Sequence, residues 1–146
     1  MKIVLVYPQI PQNTGNVVRT CSVTGTDLVL VRPLGFKTTD RYLKRAGLDY
    51  WEGVNVSYVD DLLTFLESHP NFYLFSSKVK RLYTDVTYTD DCALVFGSET
   101  SGIPVDILER FPERQVTIPM KGTGRCLNLA TSVAVGLYEA LRAPSV

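Results

Sequence analysis

Six short apolar runs, Lys2–Tyr7, Asp27–Val31, Val54–Tyr58, Phe72–Ser76, Ala93–Phe96 and Gln115–Ile118, recur along the chain with helix-compatible stretches between them. Each is strand-length and rich in β-branched or aromatic residues, and Lys2–Tyr7 and Ala93–Phe96 are apolar almost throughout, the pattern of strands buried on both faces. Between them, Gly15 to about Val23 reads as a helix with Val17, Val18 and Cys21 inward, capped by Asn13 or Thr14. A basic helix is expected from about Thr38 to Ala46, another from Asp60 to Ser68 capped by Asp60 or Asp61, and one over Val105–Arg110 with Pro104 at its first turn. Asn128–Arg142 reads as a long apolar helix. The alternation of strands and helices predicts an α/β fold: a mostly parallel sheet flanked by helices on both faces.

A length of 146 residues suits one compact domain, and 45% hydrophobic with 21% charged residues is a soluble, globular composition. Ile3–Tyr7 is too short for a signal peptide or membrane span, which points to a cytoplasmic protein without a membrane partner. Cys21, Cys92 and Cys126 are odd in number and lack metal-like spacing, so a disulfide framework is not expected. His69 is the only histidine, which leaves no zinc cluster and no expected metal. Net charge is zero, fifteen basic against fifteen acidic residues, so any nucleic-acid signal must be local. Three basic clusters follow predicted strand ends: Lys37, Arg41, Lys44 and Arg45; Lys78, Lys80 and Arg81; Lys121 and Arg125. Each alone reads as a solvated face, but together they fit a phosphate-bearing partner.

Chemistry concentrates in the last third. The run Ile118-Pro119-Met120-Lys121-Gly122-Thr123-Gly124-Arg125-Cys126-Leu127-Asn128-Leu129 leaves a strand, passes two glycines and enters the last helix. Loops at the carboxyl ends of parallel strands are where α/β proteins bind ligands, and a helix start offers unpaired N–H groups. Gly97–Gly102 has the glycine spacing of a P-loop, but Ile103-Pro104 stands where Lys-Ser/Thr would hold phosphate and magnesium. Gly122-x-Gly124 lacks the third glycine of a dinucleotide fingerprint, and no βαβ unit follows it. His69, beside Pro70 at a helix end, reads as a surface residue rather than the base of a hydrolase triad. What remains is a polar set at strand ends: Asn13, Arg19, Glu99, Arg125 and Asn128. Each has an ordinary use, with Asn13 and Asn128 as helix caps, Arg19 on a polar helix face and Glu99 satisfying its own tight turn. Their joint placement beside glycine-bearing turns suggests a site.

Three segments match, in order, the motifs of a known family. Asn13-Thr14-Gly15-Asn16-x-x-Arg19-Thr20, Leu94-Val95-Phe96-Gly97-Ser98-Glu99-Thr100-x-Gly102-Ile103-Pro104, and Ile118-Pro119-Met120 through Leu127-Asn128-Leu129 to Tyr138-Glu139-Ala140 resemble the SpoU class of SPOUT RNA 2′-O-ribose methyltransferases. Arg45-Ala46-Gly47-Leu48-Asp49-Tyr50-Trp51, with the lack of an appended RNA-binding domain, resembles the branch that methylates the wobble nucleotide, cytidine or uridine, in the anticodon loop of transfer RNA.

The resemblance implies a single domain over residues 1–146 whose C-terminal segment forms a deep trefoil knot, with knot and cofactor site spanning roughly 72–142. It implies S-adenosylmethionine as methyl donor, S-adenosylhomocysteine as product, and Phe75, Gly97, Glu99, Ile118, Met120, Cys126, Leu127 and Asn128 around the cofactor. Arg19 is the expected catalytic residue, gripping a phosphate beside the reacting ribose, because a guanidinium is a poor base and a good phosphate fork. Asn13 would orient the loop, and Asn128 the ribose or cofactor. Arg19, Arg41, Lys44, Arg45 and Arg125 are assigned to the tRNA face. Family members are homodimers with the active site near the subunit boundary, and the helix Asn128–Arg142 is apolar on nearly all sides, as a helix with an intersubunit face would be. Two positions depart from the family: Cys126 and Ala130 stand where it reads serine. A thiol hydrogen-bonds more weakly than a hydroxyl, which favours a rival reading, a non-enzymatic RNA-binding or assembly factor on the same fold. Intact Arg19, Glu99 and Asn128 oppose that rival.

Overall fold

All six apolar runs become strands of one sheet. The computed structural model of the chain describes residues 1–39, 41, 53–124 and 126–142. Within these, the elements are β1 (Lys2–Val6), α1 (Pro11–Thr24), β2 (Asp27–Val31), β3 (Val56–Val59), α2 (Leu62–Glu67), β4 (Phe72–Phe75), β5 (Ala93–Phe96), α3 (Val105–Arg110), β6 (Gln115–Val116) and α4 (Leu129–Arg142). The strand order is β3-β2-β1-β5-β4-β6, and every pairing is parallel. Consecutive side chains of a strand point to opposite faces, so the sheet sorts its own core into two. Ile3, Leu5, Leu28, Leu30, Leu94 and Phe96 face α1 and α4, which supply Val17, Val18, Cys21, Val133 and Leu137. Val4, Val6, Val29, Val31 and Val95 face the other way, against Leu62 and Leu66 of α2 and Ile107 and Leu108 of α3. Each fully buried Leu or Val contributes about 1.5–3 kcal/mol over leaving it in water. β1 and β5, at the centre, have neighbours on both sides and so read apolar at nearly every position.

Several boundaries differ from the sequence expectation, each for a tertiary reason. α1 begins at Pro11 with Ile10 as its cap residue, so neither Asn13 nor Thr14 caps it; both are buried inside its first turn. Tyr7 leaves β1 with a left-handed φ of 53°, which turns the chain out of the sheet toward α1. β3 starts at Val56, two residues later than expected. Asp61 caps α2 by accepting the Thr64 N–H at 3.2 Å, while Asp60 is taken by Arg32 at 2.9 Å. β6 stops at Val116 because Thr117 turns to the segment after β4, donating to Arg81 O at 2.8 Å and accepting from Tyr83 N at 2.9 Å. The expected basic helix near Thr38–Ala46 and the Gly47–Trp51 stretch lie outside the described residues, apart from Thr38, Thr39 and Arg41. Among the described residues no helix is long and apolar enough to cross a membrane.

Candidate active site

The chain segments leaving β4, β5 and β6, together with the first turn of α1, enclose a cavity of about 570 Å³. This volume falls in the range of roughly 300–1,000 Å³ typical of small-molecule clefts. It lies at the carboxyl ends of the strands, as expected for an open parallel sheet. All eight residues expected around the cofactor, Phe75, Gly97, Glu99, Ile118, Met120, Cys126, Leu127 and Asn128, line it, as does Asn13. Asn13 and Asn128, 115 positions apart in sequence, therefore share one wall.

Two glycines set how closely that wall can pack. A Cβ on Gly97 would fall inside the backbone of Gly102 and Ile103, so only glycine lets the Ser98–Gly102 turn fold back onto the end of β5. That turn is pinned by Gly102 N–H to Ser98 O and Ser101 N–H to Ser98 Oγ, both at 3.0 Å. A Cβ on Gly136 would approach Phe75 Cε2 to 2.9 Å and Phe96 Cζ to 3.2 Å. Its absence lets α4 settle on the stacked Phe75–Phe96 pair, whose centroids are 4.5 Å apart and which also lines the cavity.

Three of the five expected polar residues, Asn13, Glu99 and Asn128, form one hydrogen-bond chain. Glu99 Oε1 accepts the Gln9 N–H at 2.8 Å, and Oε2 accepts the Ile10 N–H at 2.9 Å and Asn13 Nδ2 at 3.1 Å. Asn128 Nδ2 then donates to Asn13 Oδ1 at 2.9 Å, and Asn128 Oδ1 accepts the Ala130 N–H at 2.9 Å and the Thr131 N–H at 3.4 Å. Glu99 thus does not satisfy its own turn, as the sequence suggested; it reaches across to the β1–α1 connection and holds the segment that Tyr7 turns out of the sheet. Asn128 does cap α4 as expected, which leaves fewer open N–H groups at that helix start than the sequence implied. Glu99 is the only carboxylate on the described wall, and it accepts only from uncharged N–H groups.

Arg19 is not among the residues that line the cavity. It is exposed on α1, six positions beyond Asn13, about 240° further around the helix and thus on a different face. Arg41 is also exposed, while Lys44, Arg45 and Arg125 lie outside the described residues. His69 sits away from the cavity, stacked on Phe65 with its Nε2 3.1 Å from Lys2 Nζ, which agrees with its dismissal as a catalytic base. Ser76, Ser77, Lys78 and Ser132 also line the cavity, and sequence reasoning missed them as site residues. Lys78 was visible only as part of a surface cluster.

The three thiols separate cleanly. Cys21 and Cys92 are buried, and desolvation, with smaller contributions from Asp27 and Asp91 respectively, pushes each up to about 12. Cys126 is exposed on the cavity wall. No group of three or more His, Cys, Asp or Glu among the described residues could hold a metal ion.

Comparison with known proteins agrees with this geometry. Residues 1–138 match the family model described as the SpoU rRNA Methylase family. A Geobacillus stearothermophilus protein, provisionally named a tRNA (cytidine(34)-2′-O)-methyltransferase, is 45% identical over 150 residues, covering 99% of this chain and 96% of that protein. A Burkholderia ambifaria protein named tRNA (cytidine(34)-2′-O)-methyltransferase is 41% identical over 145 residues, covering 96% of this chain and 93% of that one. A solved structure described as giving structural insights into the 2-OH methylation of C/U34 on tRNA superposes with a TM-score of 0.90 at 42% identity, covering 97% of this chain and 94% of that one.

Proposed function

Because the chain belongs to the SpoU rRNA methylase family, we propose that it transfers a methyl group from S-adenosylmethionine to the ribose 2′-hydroxyl of the wobble nucleotide, cytidine or uridine 34, in the anticodon loop of tRNA. The observation that carries the reading is the convergence of three distant sequence motifs on one cavity, tied together through Asn13, Glu99 and Asn128.

The residues present fit the cofactor. Phe75, Phe96, Ile118, Met120 and Leu127 supply an apolar wall for a purine, and Gly97 lets backbone approach closely. The Glu99 carboxylate, met only by uncharged donors, favours a cationic ligand such as a sulfonium. Bound there, S-adenosylmethionine supplies an electrophilic methyl carbon. The protein's task is then mainly positional, holding the acceptor hydroxyl in line and keeping water out. Glu99, Asn13 and Asn128 act through the loops they brace, and in this reading they are positioning residues. Arg19 grips a phosphate beside the reacting ribose.

The chain acts as a homodimer in this reading. Tyr138 and Leu141 on α4 are 53% and 41% exposed and Val23 on α1 is 68% exposed, an apolar surface on two helices that pack against each other. Arg19 precedes Val23 by one helical turn, so a second copy seated there brings Arg19 to the subunit boundary. The C-terminal knot and a cytoplasmic location belong to the same proposal through the family resemblance. The intact cavity and hydrogen-bond chain support an active enzyme over the non-enzymatic factor, despite Cys126 and Ala130. Incubation with labelled S-adenosylmethionine and bulk tRNA, followed by mapping of the methylated ribose, tests the function. Label confined to position 34 is expected; label on a base, or none, would overturn it. Light scattering tests the dimer.

A further inference from the structure

We infer that Lys78 binds a backbone phosphate of the tRNA at the cavity mouth and so helps set the acceptor strand over the methyl donor. The inference rests on the methyltransferase reading above and adds a residue that the family motifs do not contain. Among the described residues lining the cavity, Lys78 is the only cation. Arg81, on the same segment, is already engaged: it donates to Glu113 O at 2.8 Å and lies over Tyr73. Lys78 makes no ion pair with any described carboxylate, and Glu99, the only carboxylate on the wall, is filled by three N–H donors.

Its backbone is fixed rather than loose. Ser76 N–H donates to Val116 O at 2.9 Å, which ties the end of β4 to β6, and Ser76 Oγ accepts the Lys78 N–H at 3.1 Å. The side chain therefore springs from a defined point on the rim and is itself exposed. An exposed ammonium on a long stem is poorly suited to the apolar part of the cavity and well suited to an anion arriving from solvent. Lys80 is exposed on the same segment, which extends the positive edge outward, as a phosphate track requires. The cofactor's own carboxylate is the competing anion, and the following measurements separate the two.

Wild type, Lys78→Met and Lys78→Arg are compared by tRNA binding across a salt series, by calorimetric titration with S-adenosylhomocysteine, and by the split between kcat and KM for tRNA. Loss of one charge-assisted contact predicts roughly tenfold weaker tRNA binding for Lys78→Met. It also predicts a slope of log affinity against log salt that is smaller by about 0.7–0.9. The change should fall in KM for tRNA, with S-adenosylhomocysteine affinity unchanged and most of the loss restored in Lys78→Arg. Unaltered tRNA affinity and salt slope would overturn the inference, and so would a fall in S-adenosylhomocysteine affinity without a fall in tRNA affinity. Methylation of wild-type product mapped away from a ribose would defeat the functional reading separately, whatever Lys78→Met does to binding.

Discussion

Glu99→Gln isolates the brace that joins the three motifs. The wild-type carboxylate offers both oxygens as acceptors, one to Gln9 N–H and the other to Ile10 N–H and Asn13 Nδ2. A glutamine offers one oxygen, and its NH₂ must face at least one of these donors. If the oxygen stays toward Ile10 and Asn13, the Gln9 N–H is orphaned. If it turns toward Gln9, the Ile10 N–H is orphaned, and Asn13 must flip to accept from the new amide. That flip turns its own NH₂ on Asn128 Nδ2 and breaks the 2.9 Å link to α4. An orphaned donor costs about 1–3 kcal/mol when buried, and partial exposure of this site puts the loss at the lower end, about 1–2 kcal/mol. That corresponds to roughly 5- to 30-fold in the population of the braced loop. The same loss lowers the melting temperature by roughly 2–8 °C for a domain of this size. Steady-state methyl transfer and thermal unfolding on the same preparation read both, with kcat/KM expected to fall by the 5- to 30-fold factor. Wild-type kcat/KM and melting temperature in Glu99→Gln would show that the carboxylate's three hydrogen bonds hold nothing that matters.

Arg19→Ala should keep S-adenosylhomocysteine binding and lose most methyl transfer, since Arg19 lies off the cavity wall; near-normal turnover would remove it from the mechanism. Iodoacetamide should add one label to the native chain, at Cys126, and three after unfolding, because burial holds the Cys21 and Cys92 thiols near 12; S-adenosylhomocysteine should slow the Cys126 reaction, and mass spectrometry reads all three sites. Gly136→Ala drives a methyl to 2.9 Å from Phe75 and should cost about 1–3 kcal/mol, seen as a lower urea midpoint together with weaker S-adenosylhomocysteine binding, because the displaced Phe75 is cavity wall. A stability loss with unchanged affinity would uncouple α4 packing from the site.

The sequence by itself determined the layered class and most of the elements. β2, β5 and α3 fall where the sequence puts them, because a strand buried on both faces needs unbroken apolar residues, although Pro104 is the cap residue before α3 rather than part of its first turn. The residues of the cavity wall were also legible, through ordered motifs whose spacing resembles a known family. What the chain could not announce was which polar groups meet. Nothing near Glu99 in sequence reveals that it accepts the N–H groups of Gln9 and Ile10, some ninety residues away, together with the amide of Asn13. Lys78 likewise looked like a solvated charge until Ser76 and Val116 fixed its origin at the cavity rim. The physical reason is range. Apolar periodicity is imposed by a residue's own turn or pleat and is written locally, whereas hydrogen bonds between distant loops depend on strand order, and the placement of β5 beside β1 exists only once the sheet has formed.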